Sequence, residues 1–258
     1  SKSFIESNKD KFWIFGNYAS LDLNLIPTIV SNIRYSILEY DYKYCKYRSP
    51  EKHKASENIE CNCHQEPRGK MISAFMHGSR SLWWMSEKQR DLYFNMFPFL
   101  RERSNIVLSS VFDDNFFAKV ALLREQNKEN RDEKFVIIGS NSWIKGVEDS
   151  IAFCEKNSLE YEVIWNKTYS EVLEKLSVSK GMVFLPRGGD TCPRTVIEAK
   201  LLGCSLILNE NVQHKDELWF SNSKMIDTES YLYAARNRFW NKKKDVIFSN
   251  HKRIHYYT

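Results

Sequence analysis

The chain has 258 residues, 42% of them hydrophobic and 28% charged, with a net charge of +5 and a mean hydropathy of −0.52. This composition excludes a largely disordered chain, and the longest apolar runs, 135–138 and 182–185, fall far short of the roughly 20 residues that span a bilayer. Six cysteines are too few for a disulfide scaffold, and the N-terminal residues lack a secretory signal, so the expected setting is cytoplasmic, with peripheral membrane contact as a variant.

The positive balance suits phosphorylated ligands or anionic surfaces but is not gathered into the basic stripe of a dedicated nucleic-acid binder. Lys242, Lys243, Lys244, Lys252 and Arg253 read as a solvated helix face or a membrane-docking patch.

In chain order, Phe12–Phe15 is an apolar run ending at Gly16-Asn17, residues 21–33 have helical spacing, and 35–40 form a second strand. Residues 41–70 are polar and aperiodic, and read as one long functional loop. Further on, 71–75 is apolar, 81–85 a short buried strand, 87–94 a helix capped by Ser86, and 106–109 closes the first half. Residues 109–133 hold the domain boundary, with a charged, exposed stretch over 124–133.

From there strands and helices alternate: strands at 134–138, 160–165, 182–185 and 205–209, helices at 147–157, 169–177 and 195–202. The pattern predicts an α/β unit with a parallel sheet and right-handed crossovers. Ligands of such sheets bind beyond the carboxyl ends of the strands, which directs attention to the loops after Ile138, Trp165 and Leu185.

The first of these loops reads Gly139-Ser-Asn-Ser-Trp-Ile-Lys145-Gly146. Glycines let backbone amides approach phosphate oxygens, a helix N-terminus adds partial positive charge, and Lys145 adds a full one. Alone, such a loop is also an ordinary surface turn with a solvated lysine. The loop after Leu185 places Asp190 and Glu198 eight positions apart across a loop-to-helix junction, with Arg187 and Arg194 close by. One carboxylate can accept hydrogen bonds from sugar hydroxyls and the other from a ribose, while the amides between suit a diphosphate. Glu198 can equally be an acidic residue favoured at a helix start.

Residues 135–220 resemble the retaining glycosyltransferases of GT-B fold, family 4 (glycosyl transferases group 1), which include sucrose synthase and many bacterial lipopolysaccharide glycosyltransferases. The likeness lies in Gly139 with Lys145-Gly146, in Asp190-x7-Glu198-Ala199, and in Gly203 ahead of the strand containing Leu206. Ser140 stands where the family carries a diphosphate-binding Arg, and Asp190 replaces the first Glu of the motif; Arg187 or Arg194 could supply the missing guanidinium.

The resemblance implies two Rossmann-like domains with parallel sheets facing a central cleft: an acceptor domain over 1–110, a nucleotide-sugar-binding domain over 111–228, and a C-terminal helix over 229–258 crossing back, packed through Trp219, Phe220 and Trp240. It implies that Lys145 binds diphosphate, that Asp190 contacts the donor sugar and acts in catalysis, and that Glu198 holds the ribose. Asn166, Lys167 and Thr168 are the implied base contacts, for UDP or GDP alike, and Gly16 and Asn17 approach the diphosphate. Transfer would be metal-independent, with retention at the anomeric carbon.

On the acceptor side, Asp41 is the candidate catalytic base, although a leaving phosphate can accept the proton itself. Trp165 and Tyr169 can stack on a base or serve the core. Cys45-x7-His53-x7-Cys61-x-Cys63-His64 has enough soft ligands for a structural zinc, with Cys45, Cys61, Cys63 and either His53 or His64; free thiols in a loop are the other reading.

The expected function is therefore transfer of a sugar from a nucleoside-diphosphate sugar to an acceptor hydroxyl, as on a glycan, with no catalytic cofactor. The alternatives are a glycosyltransferase acting on modified bases in DNA, and a non-catalytic sugar-nucleotide or glycan binder.

Overall fold

The computed structural model describes residues 1–221 and 224–248, with side chains to residue 241; the tail lysines 242–244 and Lys252 and Arg253 lie outside the described side chains. The chain divides into two compact units, one of Ser1–Ser109 with the described residues from Ala234 onward, the other Ser110–Tyr233. Each is an α/β unit built on a four-stranded parallel sheet.

In the first unit a short helix α1 (Lys2–Glu6) precedes β1 (Phe12–Phe15), α2 (Ile26–Asn32), β2 (Arg34–Glu39), α3 (Pro50–Glu57), α4 (Pro67–Gly78), β3 (Ser81–Trp84), α5 (Glu87–Met96) and β4 (Ser104–Val107). The strands are ordered β1-β2-β3-β4, each connection stepping in the same direction. Right-handed crossovers that all step one way place their helices on one face of a sheet. Accordingly Tyr35, Ile37, Leu82 and Trp84 join Ile26, Ile29, Ile72, Phe75 and Tyr93 in one core cluster.

The opposite face carries Ser36, Leu38, Ser81 and Trp83, all buried. There Ser36 and Ser81 share a 2.7 Å hydrogen bond, and Trp83 packs edge-on against Phe239 at 4.1 Å. Phe239 belongs to the last helix, α12 below, so a segment far along the chain covers this face.

Several expectations change here. The polar stretch 41–70 is not one loop: it contains α3 and the start of α4. Its helix α3 is polar all round, and it forms because Ser49 Oγ accepts from the Lys52 amide at 3.1 Å while Pro50 sits at its first turn. Residues 71–75 are the middle of α4 rather than a separate segment, and 21–33 divides into a 3₁₀ turn, Leu23–Leu25, and α2.

The second unit opens with α6 (Asp114–Gln126), which occupies most of the stretch read as a domain boundary. Asp113 caps it through the Phe116 amide at 2.8 Å, and Phe116 and Val120 bury one face. There follow β5 (Phe135–Ile138), α7 (Val147–Lys156), β6 (Tyr161–Ile164), α8 (Tyr169–Val178), β7 (Gly181–Phe184), α9 (Arg194–Leu201), β8 (Ser205–Leu208), α10 (Leu218–Ser221) and α11 (Met225–Tyr233). The sheet order is β6-β5-β7-β8, so the chain steps outward from β5 in one direction and then returns to the other side of it.

The C-terminal helix expected over 229–258 is not continuous: its described part is the end of α11, in the second unit, and then α12 (Ala235–Phe248), grouped with the first, while 249–258 lie outside the described residues. Trp219 and Phe220 pack inside the second unit, Trp219 stacking on Tyr231 at 4.8 Å, whereas Trp240 is half exposed.

Candidate functional site

The reversal of strand order in the second unit falls between β5 and β7, and in open α/β sheets ligand crevices form at such a switch point beyond the carboxyl ends of the strands. A cavity of about 200 Å³ lies there, lined among others by Gly139, Ser140, Lys145, Phe184, Arg194 and Thr195.

Two close backbone approaches shape it. Gly146 has φ +58°, and a Cβ there would sit 2.0 Å from the Leu185 carbonyl oxygen, so the loop after β5 lies directly on the end of β7. The Arg187 amide donates to the Ile144 carbonyl at 2.8 Å, joining the two loops, and the Leu185 amide donates to Ser150 Oγ of α7 at 3.1 Å. At Gly139 a Cβ would meet the Trp165 indole at 2.2 Å, so only a glycine lets that ring lie over the strand end.

Across this floor Lys145 Nζ donates to Asp190 Oδ2 at 2.6 Å, and lies 5.6 Å from the centroid of the Phe184 ring. Asp190 is fixed by its backbone, which bridges to Val212 and takes a 2.8 Å bond from its own amide to the Asn211 carbonyl. The pair therefore holds the ammonium at the cavity wall from a rigid anchor.

The N-cap residue of α9, Pro193, makes no side-chain capping bond, and Arg194 and Thr195 in its first turn line the cavity. Arg194 Nε is 3.7 Å from Glu198 Oε1, one turn on, and its guanidinium lies 4.4 Å from the Phe112 ring centroid. Glu198 is buried and also accepts from the Tyr169 hydroxyl at 3.0 Å. Burial pushes the Glu198 carboxyl above the ordinary carboxylate value, with Tyr169 and Arg194 opposing that shift. Burial, reinforced by the Glu198 charge, pushes Tyr169 up to about 12, so it stays protonated and donating.

The two arginines named from sequence part company. Arg194 lines the cavity, but Arg187 pairs with Asp149 and, at 3.3 Å, with Glu148, over the Trp143 ring; its side chain ties its loop to α7. Thr168 caps α8 in a capping box with Glu171, and Lys167 pairs with Glu171 at 3.1 Å, so both are engaged in starting that helix. Asn166 adopts φ +53° in the same exposed loop. Trp165 and Tyr169 are about half exposed rather than core residues.

Gly16, Asn17 and Asp41 belong to the first unit. Gly16 and Asn17 follow β1, and a Cβ at Gly16 would meet the Tyr40 ring at ordinary contact distance. Asp41 does not stand free as a base: Oδ1 accepts from Lys43 Nζ at 3.0 Å, and Oδ2 pairs with the Arg48 guanidinium. The group that sequence reasoning passed over is its neighbour Glu39. Fully buried, it accepts from Lys43 at 3.1 Å and from the Tyr18 hydroxyl, and burial pushes its carboxyl up to about 7. No local sequence signal marks it; its burial follows from β2 being flanked by a strand on each side, which keeps the strand end dry.

In the cysteine segment the ligand atoms of Cys45, His53, Cys61 and Cys63 all lie within 4.8 Å of one another. His64 is not in this group; its ring packs against Phe97 at 6.3 Å, so of the two histidines His53 takes the fourth place.

No family model matches the chain, and no curated protein matches its sequence. Among solved structures it is similar to an alpha-glucosyltransferase in complex with UDP-glucose and DNA containing an abasic site, with a TM-score of 0.45 and 10% identity, over 96% of this chain and 77% of that one. No helix among the described residues is long and apolar enough to cross a membrane.

Proposed function

We propose that the cavity at the ends of β5 and β7 binds a nucleoside-diphosphate sugar, and that the protein transfers the sugar to an acceptor hydroxyl, as on a glycan. The observation that carries this reading is two cations, Lys145 and Arg194, that line one cavity at a strand-order switch point, each backed by a carboxylate, Asp190 and Glu198 respectively.

At about 200 Å³ the cavity is smaller than the roughly 300–1,000 Å³ of sites that enclose a whole small molecule, so it receives the diphosphate while the sugar and nucleoside lie toward its rim. The ammonium of Lys145, the guanidinium of Arg194 and the uncapped amides of α9 meet the phosphate oxygens. Drawn toward phosphate, Lys145 leaves Asp190 free to accept from a sugar hydroxyl. Glu198, held as an acceptor by Arg194 and Tyr169, takes the ribose hydroxyls, and Trp165 or Tyr169 stacks on the base.

As the glycosidic bond to the diphosphate breaks, negative charge grows on the leaving oxygen, where Lys145 and Arg194 stabilise it. The acceptor hydroxyl gives its proton to that oxygen, so no protein base is required, in keeping with the occupied state of Asp41. Retention and independence from metal complete the reading and rest on the family resemblance.

Thermal-shift titration with UDP, GDP and their sugars, without metal, tests it. Stabilisation by one nucleotide that Lys145→Ala and Glu198→Ala both lose is the expected result; no response to any nucleotide would overturn the donor site. Transfer from the bound sugar, assayed with glycan acceptors and with DNA bearing a hydroxylated base, then assigns the acceptor, and product NMR reads the anomer.

A further inference from the structure

We infer that the first unit carries a structural zinc centre whose ligands are Cys45 Sγ, His53 Nδ1, Cys61 Sγ and Cys63 Sγ, with Glu57 orienting the imidazole. This inference is independent of the donor site, which lies wholly in the second unit.

The geometry is that of a tetrahedral site. With zinc bonds near 2.3 Å to sulfur and 2.0–2.1 Å to nitrogen, tetrahedral angles place neighbouring S and N about 3.5 Å apart and neighbouring sulfurs about 3.8 Å apart. His53 Nδ1 is 3.2 Å from Cys63 Sγ and 3.8 Å from Cys45 Sγ, either side of that value, and the whole set closes within 4.8 Å. All the cysteines are unbridged. The other imidazole nitrogen, Nε2, is buried without a hydrogen bond of its own and lies 3.4 Å from Glu57 Oε2, within reach of the carboxylate–histidine contact that fixes the tautomer of a metal-bound ring.

The local fold is built around this cluster. Ser49 caps α3 so that His53 falls on its buried side one turn in, and Asn58, at φ +56°, turns the chain back toward Cys61 and Cys63. Gly69 in α4 then lies against the Cys63–His64 backbone so closely that a Cβ would sit 2.1 Å from the Cys63 carbonyl oxygen. Cys45, His53 and Cys63 are buried and Cys61 is half-buried, leaving one edge for metal entry.

Four protein ligands fill a tetrahedral shell and leave no position for a reactive water, so the centre is structural. Binding converts the three thiols to thiolates and gives their protons to solvent; no electron moves. The metal ties the 42–49 segment, including Arg48 and hence the Asp41 ion pair, to α3 and the start of α4.

The test uses the full chain, expressed with zinc and kept reduced. Metal analysis is expected to find one zinc per chain, and Co²⁺ exchanged into it to give tetrahedral ligand-field and thiolate charge-transfer bands. Cys63→Ser and Cys61→Ser are expected to lose the metal, while His64→Ala and Cys154→Ser retain it. Glu57→Gln, read by competition with a chromophoric chelator, is expected to bind zinc 10- to 100-fold more weakly.

Should the cysteine variants fail to fold, zinc release by a thiol-modifying reagent from the unmutated protein gives the same answer. Substoichiometric metal without cobalt bands, a disulfide among Cys45, Cys61 and Cys63 in protein purified without oxidant, or loss of metal in His64→Ala would each overturn the assignment.

Discussion

At the end of β2, Glu39, Asp41, Lys43 and Arg48 form an ionic cluster whose Lys43–Glu39 pair is fully buried, with Arg48, 47% exposed, on its outer side. At the ends of β5 and β7, Lys145, Asp190, Arg194 and Glu198 bring similar charges together, yet the two cations remain 40% and 54% exposed beside a cavity. Topology accounts for the difference. The first sheet steps one way and has no reversal of strand order, whereas the second reverses beside β5 and opens a crevice. Charges that close on one another hold a fold, and charges left facing a crevice can exchange partners with a ligand.

Substitution should separate the two clusters. Lys43→Met leaves Glu39 buried without its main partner and should cost about 3–5 kcal/mol in denaturant unfolding, with nucleotide affinity unchanged. Gly146→Ala combines a positive φ with a Cβ placed against the Leu185 carbonyl; a loss of about 3 kcal/mol is expected, because backbone on both sides cannot yield.

Lys145→Ala should do the reverse of Lys43→Met. Calorimetry is expected to show nucleotide binding weakened by about 10- to 100-fold, the worth of a charge-assisted hydrogen bond, with little change in melting temperature. A Lys145→Ala protein that binds nucleotide normally, or a Lys43→Met protein that is fully stable, would break the comparison.

Acidity sharpens it further. Glu39 is raised from 4.5 to about 7 in the folded chain, so its contribution is fully present below pH 4.5 and is lost as pH rises toward 7 and beyond. His214 in the second unit behaves oppositely. Buried with no hydrogen-bond partner among the described residues for either ring nitrogen, it is lowered by that burial from 6.5 to about 3, so its contribution is present above pH 6.5 and lost as pH falls toward 3. Melting curves from pH 5 to 8 should lose the first dependence in Glu39→Gln and the second in His214→Phe. His214→Phe should also gain about 1 kcal/mol at pH 5, because phenyl keeps the stacking on Trp219 without an unsatisfied polar group.

Much of the second unit was legible in the sequence because each strand is a short β-branched or aromatic run and each following helix has one apolar face, with Thr168 capping α8. Asp190 and Glu198 could be placed by that alternation alone. What escaped was decided by tertiary context. Helix α6 was hidden by its charged last turns, although Phe116, Val120 and Leu123 already marked a stripe at helical spacing. Helix α3 has no apolar stripe to read and depends on its cap and on His53. Asp41 and Glu39 look alike as letters; which one is buried depends on β2 having a neighbour on each side. Arg187 and Arg194 differ only in what α7 places beside the first, and no local pattern contains that information.

The contact between Trp83 and Phe239 has a bearing on how the chain comes into being. Strands β1 to β4 leave the ribosome before residues 110–233, but the face holding Leu38 and Trp83 waits for α12, which is made after them. At 5–20 residues per second that interval is on the order of ten seconds. The central unit, contiguous in sequence, can finish folding within it, while the earlier-made half holds Leu38 and Trp83 on an uncovered sheet face and is completed after it. The order of birth and the order of completion are thus reversed, and the nascent first half is the stage at which a chaperone has most to shield.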